Sequence, residues 1–327
     1  MTKTTRKTET ASRLMTLLAR PQAPALAAGA LIFLILFRRS SRFRFFARMF
    51  GFIFTMAISC IVGITVAPVM WLLGKPGLTN YVVARTFALI GPHFCGLKFK
   101  VEGKEHLKNT PMPAVFVCNH QSSLDLLAMG AILPKNVVVM GKKSIKYVPL
   151  LGWFMALGNN VFIDRKNRGH ALETMAKVAV YLKEHKVNLH PISIYQNATP
   201  DLIMYHHWQY GLWLFPEGTR SHQTDDSLLP FKKGAFHLAV QGQIPVIPIV
   251  FSTYYPCYHQ KNQIFEPGVV TIKVLPPIPT TGLETANVDD LLAKTRDTMA
   301  EALKGIKTKP TGSVLPPISA DSAKKLE

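Results

Sequence analysis

The sequence predicts an α/β fold, a central and largely buried sheet flanked by helices, preceded by a helical membrane anchor. Three observations carry this. Residues 76–306 alternate short apolar runs with amphipathic stretches, as strands and helices do in a layered domain. Charged and polar clusters follow several of the apolar runs, where an α/β sheet places its active residues. Two dense apolar runs flanked by arginines occupy the first quarter of the chain.

The segment 1–20 is polar and basic, rich in Thr, Lys and Arg, and acidic residues are scarce in it. It reads as a basic N-terminus, with a mitochondrial presequence as the alternative. Residues 21–75 are the expected anchor. The run from Ala25 to Phe37 is short against the ~20 residues that a spanning helix needs. The basic stretch Arg38-Arg39-Ser40-Ser41-Arg42-Phe43-Arg44 separates it from a second run, Met49 to Leu73, which is long enough to cross a bilayer and holds Pro68 near its end. The arginines leave two arrangements open. A single span would put them on the cytosolic side and the main domain opposite. An interfacial hairpin would set them against anionic headgroups with the domain cytosolic.

In the main domain the candidate strands are Ala114–Val117, Val137–Met140, Val161–Ile163, Leu212–Phe215, Val246–Val250 and Val269–Val274. Leu172, Met175, Val178 and Leu182 recur at helical spacing, as do Leu291, Leu292, Thr295, Met299, Leu303 and Ile306. Pro245 and Pro248 around the fifth strand suggest an edge or an opening in the sheet. From Lys307 to Glu327 the composition, rich in Pro, Ser and Lys, predicts a disordered tail.

The net charge of +19 calls for a polyanionic partner: anionic membrane lipid, a phosphorylated substrate or nucleic acid. Nucleic acid is disfavoured, since no zinc-ligand spacing and no RNA-binding aromatic motif is present. Cys60, Cys95, Cys118 and Cys257 are widely scattered, which indicates buried thiols rather than a metal cluster or a disulfide framework.

The chemistry concentrates in Cys118-Asn119-His120-Gln121-Ser122-Ser123-Leu124-Asp125. A strand ends, the chain turns, and a serine pair opens a helix that contains Asp125. This lets the carboxylate return to one imidazole nitrogen of His120 and fixes the other as a proton acceptor. An alcohol needs such a base as it attacks, for roughly 10²–10⁴-fold in rate. The same residues also fit a capped turn with an incidental histidine. Phe215-Pro216-Glu217-Gly218-Thr219-Arg220-Ser221 follows another strand, and Arg220 beside two hydroxyls makes a phosphate cradle or simply a surface turn. Phe162-Ile163-Asp164-Arg165, Lys142-Lys143 and Phe231-Lys232-Lys233-Gly234 add charge after other apolar runs, as phosphate contacts or as solvated loops.

Taken together and in this order, these segments resemble the glycerolipid acyltransferase family. Its Asn-His-x-x-x-x-Asp hallmark matches Asn119, His120 and Asp125, its Phe-x-Asp-Arg block matches Phe162 to Arg165, and its Phe-Pro-Glu-Gly-Thr-Arg-Ser block matches Phe215 to Ser221 in full. Its proline-containing final block corresponds to the region of Pro245 and Pro248. The resemblance implies a membrane enzyme of phospholipid synthesis that moves an acyl group from acyl-CoA to the sn-2 hydroxyl of lysophosphatidic acid. His120 is then the general base and Asp125 its orienting partner. The substrate-binding residues it implies are Asn119, Arg165, Glu217, Gly218, Thr219, Arg220, Lys142 and Lys143. It implies no cofactor and no metal, acyl-CoA as co-substrate and no obligate protein partner. The endoplasmic reticulum is the expected location, with lipid droplets or mitochondria as alternatives. Rival readings are a relative acting on glycerol 3-phosphate or another lysophospholipid, and an inactive membrane lipid-binding adaptor.

One stretch departs from the family pattern. Val187 to Gln209 intervene before the strand that leads to Phe215, where the family passes almost directly. They read either as a surface loop or as a retained intron, because every Val codon begins with GT and Gln209 can be written CAG. Removing them joins Lys186 to Tyr210 in frame.

Overall fold

The computed structural model describes residues 22–164, 174–175, 177–178 and 211–311. Arg165, Leu172, Leu182, the Val187–Gln209 segment, the basic N-terminus and the tail beyond Thr311 lie outside these residues.

Helix α1, Ala23–Arg39, is followed after a single residue by α2, Ser41–Leu72, a helix of 32 residues. Ser40 joins them and caps α2, its hydroxyl accepting from Phe43 N–H at 3.2 Å. Helix α2 is about 48 Å long at 1.5 Å per residue, and it is the one described helix long and apolar enough to cross a membrane. It is two-faced. Phe45, Phe52, Thr55, Ser59 and Gly63 are buried, while Phe46, Phe50, Ile53, Phe54 and Ile61 are exposed. The inner face packs on α3, Leu78–Cys95.

The arginine stretch spans the junction of the two helices: Arg38 and Arg39 end α1, and Arg42 and Arg44 lie in the first turn of α2, followed by Arg48. Arg44 Nε pairs with Glu266 at 2.7 Å, and Arg48, 8% exposed, pairs with Glu266 at 3.2 Å and donates to the Phe265 carbonyl. These two charges therefore tie the helix to the domain, since a buried guanidinium needs a protein carboxylate close by, while Arg38, Arg39 and Arg42 are exposed.

The domain proper runs β1 (Leu97–Glu102), α4 (Lys104–Asn109), β2 (Val115–Cys118), α5 (Asp125–Ile132), β3 (Val137–Lys142), a 3-10 turn at Lys143–Tyr147, α6 (Leu151–Leu157) and β4 (Val161–Ile163). It resumes with β5 (Gly211–Leu214), α7 (Gly234–Gly242), β6 (Val246–Phe251), the short strands β7 (Tyr258–His259) and β8 (Ile264–Phe265), β9 (Gly268–Val274), α8 (Val288–Lys304) and β10 (Lys309–Pro310). The main sheet has the order β1-β9-β6-β2-β5-β3-β4, with β10 also on β9. Strands β6, β2, β5, β3 and β4 run parallel to one another, and β9 is antiparallel to β6.

The central strands alternate between two cores. Val115 and Val117 meet Leu238, Leu291 and Met299 of α7 and α8, whereas Phe116 and Cys118 meet Ala128, Met129 and Ile132 of α5. Helix α8 starts with Asp289 and Asp290 and ends with Lys304, which complements its dipole.

Two expectations are corrected. Strand β6 is internal, not an edge, although Pro248 lies within it. Pro248 lies between the β9 ladder, which reaches Ile249, and the Val246–Ile278 bridge; its carbonyl accepts from Leu275 N–H at 2.9 Å, and the return bond to Leu275 is the one its missing N–H leaves unmade. The chain from Lys307 also continues into the sheet: Lys309 pairs with Val269, and Thr311 N–H donates to the Pro267 carbonyl at 3.0 Å. All four cysteines are free and buried.

Candidate active site

Parallel strands place their C-terminal ends along one edge of the sheet, and the candidate residues follow those ends. The register pairs Val117 of β2 with Leu214 of β5, so residues three further along, His120 and Glu217, stand level. The contact is direct: His120 N–H donates to Glu217 Oε1 at 2.8 Å.

The turn after β2 is held on both sides. Toward β6, the Asn119 amide donates to the Phe251 carbonyl at 3.0 Å and accepts from Phe251 N–H at 2.8 Å. Gln121 Nε2 donates to the carbonyls of Phe251 and Ser252 at 3.0 and 3.2 Å, and its Oε1 accepts from Tyr254 N–H at 3.0 Å. Toward β5, Ser221 N–H donates to the His120 carbonyl at 2.8 Å and His222 N–H to the Gln121 carbonyl at 3.2 Å. The backbone around His120 is thereby fixed before any substrate arrives, the condition for a preorganised base.

Within this frame His120 Nδ1 lies 2.5 Å from Asp125 Oδ2. The carboxylate is fully buried at the start of α5 and also accepts from Gln121 N–H at 2.7 Å and Ser122 N–H at 3.1 Å. A carboxylate at Nδ1 holds that proton and leaves Nε2 as the acceptor. The imidazole stacks on Phe215, with ring centres 4.0 Å apart and planes 18° apart. Its side chain is 21% exposed, so the ring is sheltered but reachable. The arrangement can take a proton from a hydroxyl presented at that edge.

The Glu217-Gly218-Thr219-Arg220 turn sits beside it. Gly218 has φ +72, a left-handed conformation that favours glycine, and the end of the Lys232 side chain lies across the turn, its Cε 2.8 Å from where a Cβ would stand. Thr219 and Arg220 are exposed, and Arg220 Nη1 donates to Ser123 Oγ at 2.9 Å. A guanidinium above a glycine turn with a lysine over it can hold a phosphate. Lys142 ends β3 and Lys143 follows it, one strand beyond β5 and so about 10 Å from β2 by inter-strand spacing. Lys142 is exposed, and Lys143 pairs with Asp164 at 3.3 Å.

Two residues expected to bind substrate are committed elsewhere. Asn119, 2% exposed, spends its amide on Phe251. Glu217, 4% exposed, faces the His120 backbone, and burial pushes its carboxyl up to about 7, against hydrogen bonds from His120 and Leu229 that pull it down. In this structure both brace buried backbone groups. Sequence reasoning assigned no role to Gln121, Phe215 or Tyr254. Their partners lie far along the chain, and no local spacing reveals them.

Residues 98–252 match the family model described as Acyltransferase. A 1-acyl-sn-glycerol-3-phosphate acyltransferase of Saccharomyces cerevisiae is 35% identical over 284 residues, covering 86% of this chain and 86% of its own. The human 1-acyl-sn-glycerol-3-phosphate acyltransferase alpha is 35% identical over 258 residues, covering 79% of this chain and 80% of its own. An uncharacterised acyltransferase of Schizosaccharomyces pombe is 39% identical over 80% of this chain and 85% of its own. The crystal structure of the 1-acyl-sn-glycerophosphate acyltransferase PlsC from Thermotoga maritima shares the fold, with a TM-score of 0.52 at 20% identity over 77% of this chain and 97% of that one. The chain therefore belongs to the acyltransferase family, as an enzyme grouped with the 1-acyl-sn-glycerol-3-phosphate acyltransferases.

Proposed function

We propose that this protein transfers an acyl group from acyl-CoA to the sn-2 hydroxyl of lysophosphatidic acid, giving phosphatidic acid and CoA. The observation that supports it most is the 2.5 Å contact between His120 Nδ1 and Asp125, set beside the Arg220 turn. A base for a hydroxyl and a cationic cradle for a phosphate are what a lysophospholipid phosphate demands together. His120 Nε2 takes the hydroxyl proton as the oxygen attacks the thioester carbonyl. The C–O bond forms, the C–S bond breaks, and the proton passes to the departing thiolate. This route needs neither a cofactor nor an acyl-enzyme.

Arg220 and Lys232 receive the acceptor's phosphate in this reading, with Lys142 and Arg165 as further cationic contacts. Acceptor and product are both lipids, which suits an enzyme held to a membrane by α2 and located in the endoplasmic reticulum. Membranes carrying the protein should transfer labelled acyl groups to lysophosphatidic acid and lose that activity on His120→Ala, with membrane association unchanged. Preference for glycerol 3-phosphate in a competition assay would replace the acceptor, and activity surviving His120→Ala would overturn the mechanism.

A further inference from the structure

The Asp125 carboxylate is unevenly satisfied. Oδ2 receives His120 Nδ1, Gln121 N–H and Ser122 N–H, whereas the equally buried Oδ1 has no hydrogen-bond partner. A buried polar oxygen left this way costs on the order of 1–3 kcal/mol, so a nearby donor would be drawn to it. One is at hand. Tyr254 is 2% exposed, its hydroxyl is also without a partner, and the charge of Asp125 acts on its phenol. Of these two buried, unpartnered oxygens one is able to donate and the other only to accept.

We propose that Tyr254 is a positioning residue for the His120–Asp125 pair, its hydroxyl donating to Asp125 Oδ1 during acyl transfer. The role rests on the functional reading above. Tyr254 is registered to the carboxylate through the chain itself: its N–H binds Gln121 Oε1 at 3.0 Å, and Gln121 N–H binds Asp125 at 2.7 Å. Its own carbonyl accepts from Cys257 and Tyr258 N–H at 2.8 and 3.0 Å, which fixes the turn that carries the ring. Burial, and next the charge of Asp125, hold the phenol well above its usual range, so it stays a donor.

The benefit comes when His120 takes the substrate proton. A carboxylate with both oxygens satisfied remains an anion and does not draw the proton off the imidazolium. The other ionisable groups that bear on the pair are Cys118, Glu217, Arg220, His222 and Tyr258. None of them has been found at Oδ1.

The test compares wild type with Tyr254→Phe, which keeps the ring, in the membrane-bound full chain with acyl-CoA and lysophosphatidic acid. kcat should fall about 5- to 20-fold, with KM for both substrates within about twofold. The acidic limb of the pH profile should move to higher pH, because a carboxylate relieved of the phenol holds the imidazolium more strongly. Unchanged kcat and an unmoved limb, or a rise in KM alone, would overturn the role while leaving the active wild type and its function intact. Inactive wild type would overturn the functional reading and this role with it. If the Phe variant does not accumulate, Tyr254→3-fluorotyrosine makes a stronger donor in the same place. The limb should then move to lower pH, and a stationary limb would sink the proposal.

Discussion

Glu217 Oε1 accepts the backbone N–H of His120 at 2.8 Å, a bond that ties β5 to the turn carrying the base. Burial raises the Glu217 carboxyl to about 7, so the folded protein binds this proton more tightly than the unfolded chain does. The sign follows from that difference. Between the ordinary carboxylate range and about pH 7 the folded state holds more protons, so stability falls as pH rises through this window. Thermal midpoints in mild detergent should be higher at pH 5.5 than at about pH 7.5 by more in wild type than in Glu217→Gln. Equal pH dependence in the two proteins would show that the charge on Glu217 does not matter to folding.

The His120–Asp125 contact predicts two graded losses. His120→Ala removes the base and should lower kcat by about 10²–10⁴-fold. Asp125→Asn keeps the shape but can turn the imidazole to the wrong tautomer, and should cost a comparable factor with little change in KM. Steady-state kinetics on matched membrane preparations decide it. An Asp125→Asn enzyme with normal kcat would remove the carboxylate from the mechanism.

Arg220 contacts Ser123 at 2.9 Å and is otherwise open at the surface. Arg220→Ala should raise KM for the phosphate-bearing acceptor by about tenfold or more, the size of a lost charge-assisted bond. Arg220→Lys should recover only part of this, since a point charge lacks the planar fork. Ser123→Ala, which deletes only the neighbour, should have a far smaller effect.

Gly152 lies in α6, where a Cβ would stand 2.2 Å from the Lys146 carbonyl oxygen. That oxygen belongs to backbone in the 3-10 turn after β3 and cannot swing aside as a side chain would. Gly152→Ala should therefore cost about 1–3 kcal/mol and loosen the turn that carries Lys143. Thermal unfolding in mild detergent, compared with Gly29→Ala in open space, measures it.

The Val187–Gln209 segment yields a prediction at the level of the message. The spliced transcript should join the codons of Lys186 and Tyr210, and sequencing it settles the matter. A mature message that encodes Ile192-Ser193-Ile194-Tyr195 would dispose of the intron and leave a loop.

The sheet was legible because its strands are short and mostly apolar. Val115–Cys118, Val137–Lys142, Val161–Ile163, Gly211–Leu214, Val246–Phe251 and Gly268–Val274 each contain or overlap a run visible in the sequence. Strand β1 was not, because Leu97-Lys98-Phe99-Lys100 puts charge on every second residue at a sheet margin. The N-terminal helices were legible as apolar runs, but the continuity of α2 was hidden. Arg44 and Arg48 look like a polar break until Glu266, more than two hundred residues away, is seen to pair with both.

By itself the sequence determined the α/β class, the apolar helix, and the residue types gathered at the site, since periodicity and motif spacing act within a few residues. It also determined that His120 and Asp125 can meet, because a turn and half a helical turn separate them. Only the tertiary structure decided which site residues face outward. Asn119 and Glu217 read as substrate contacts in the motif, yet β6 and β5 on either side of β2 claim them for the backbone. Strand order sets those neighbours, and buried N–H and C=O groups must find partners wherever the order puts them. For the same reason the bond from Tyr254 N–H to Gln121, beside Asp125, was unseen: it depends on β6 lying next to β2, which no local pattern encodes.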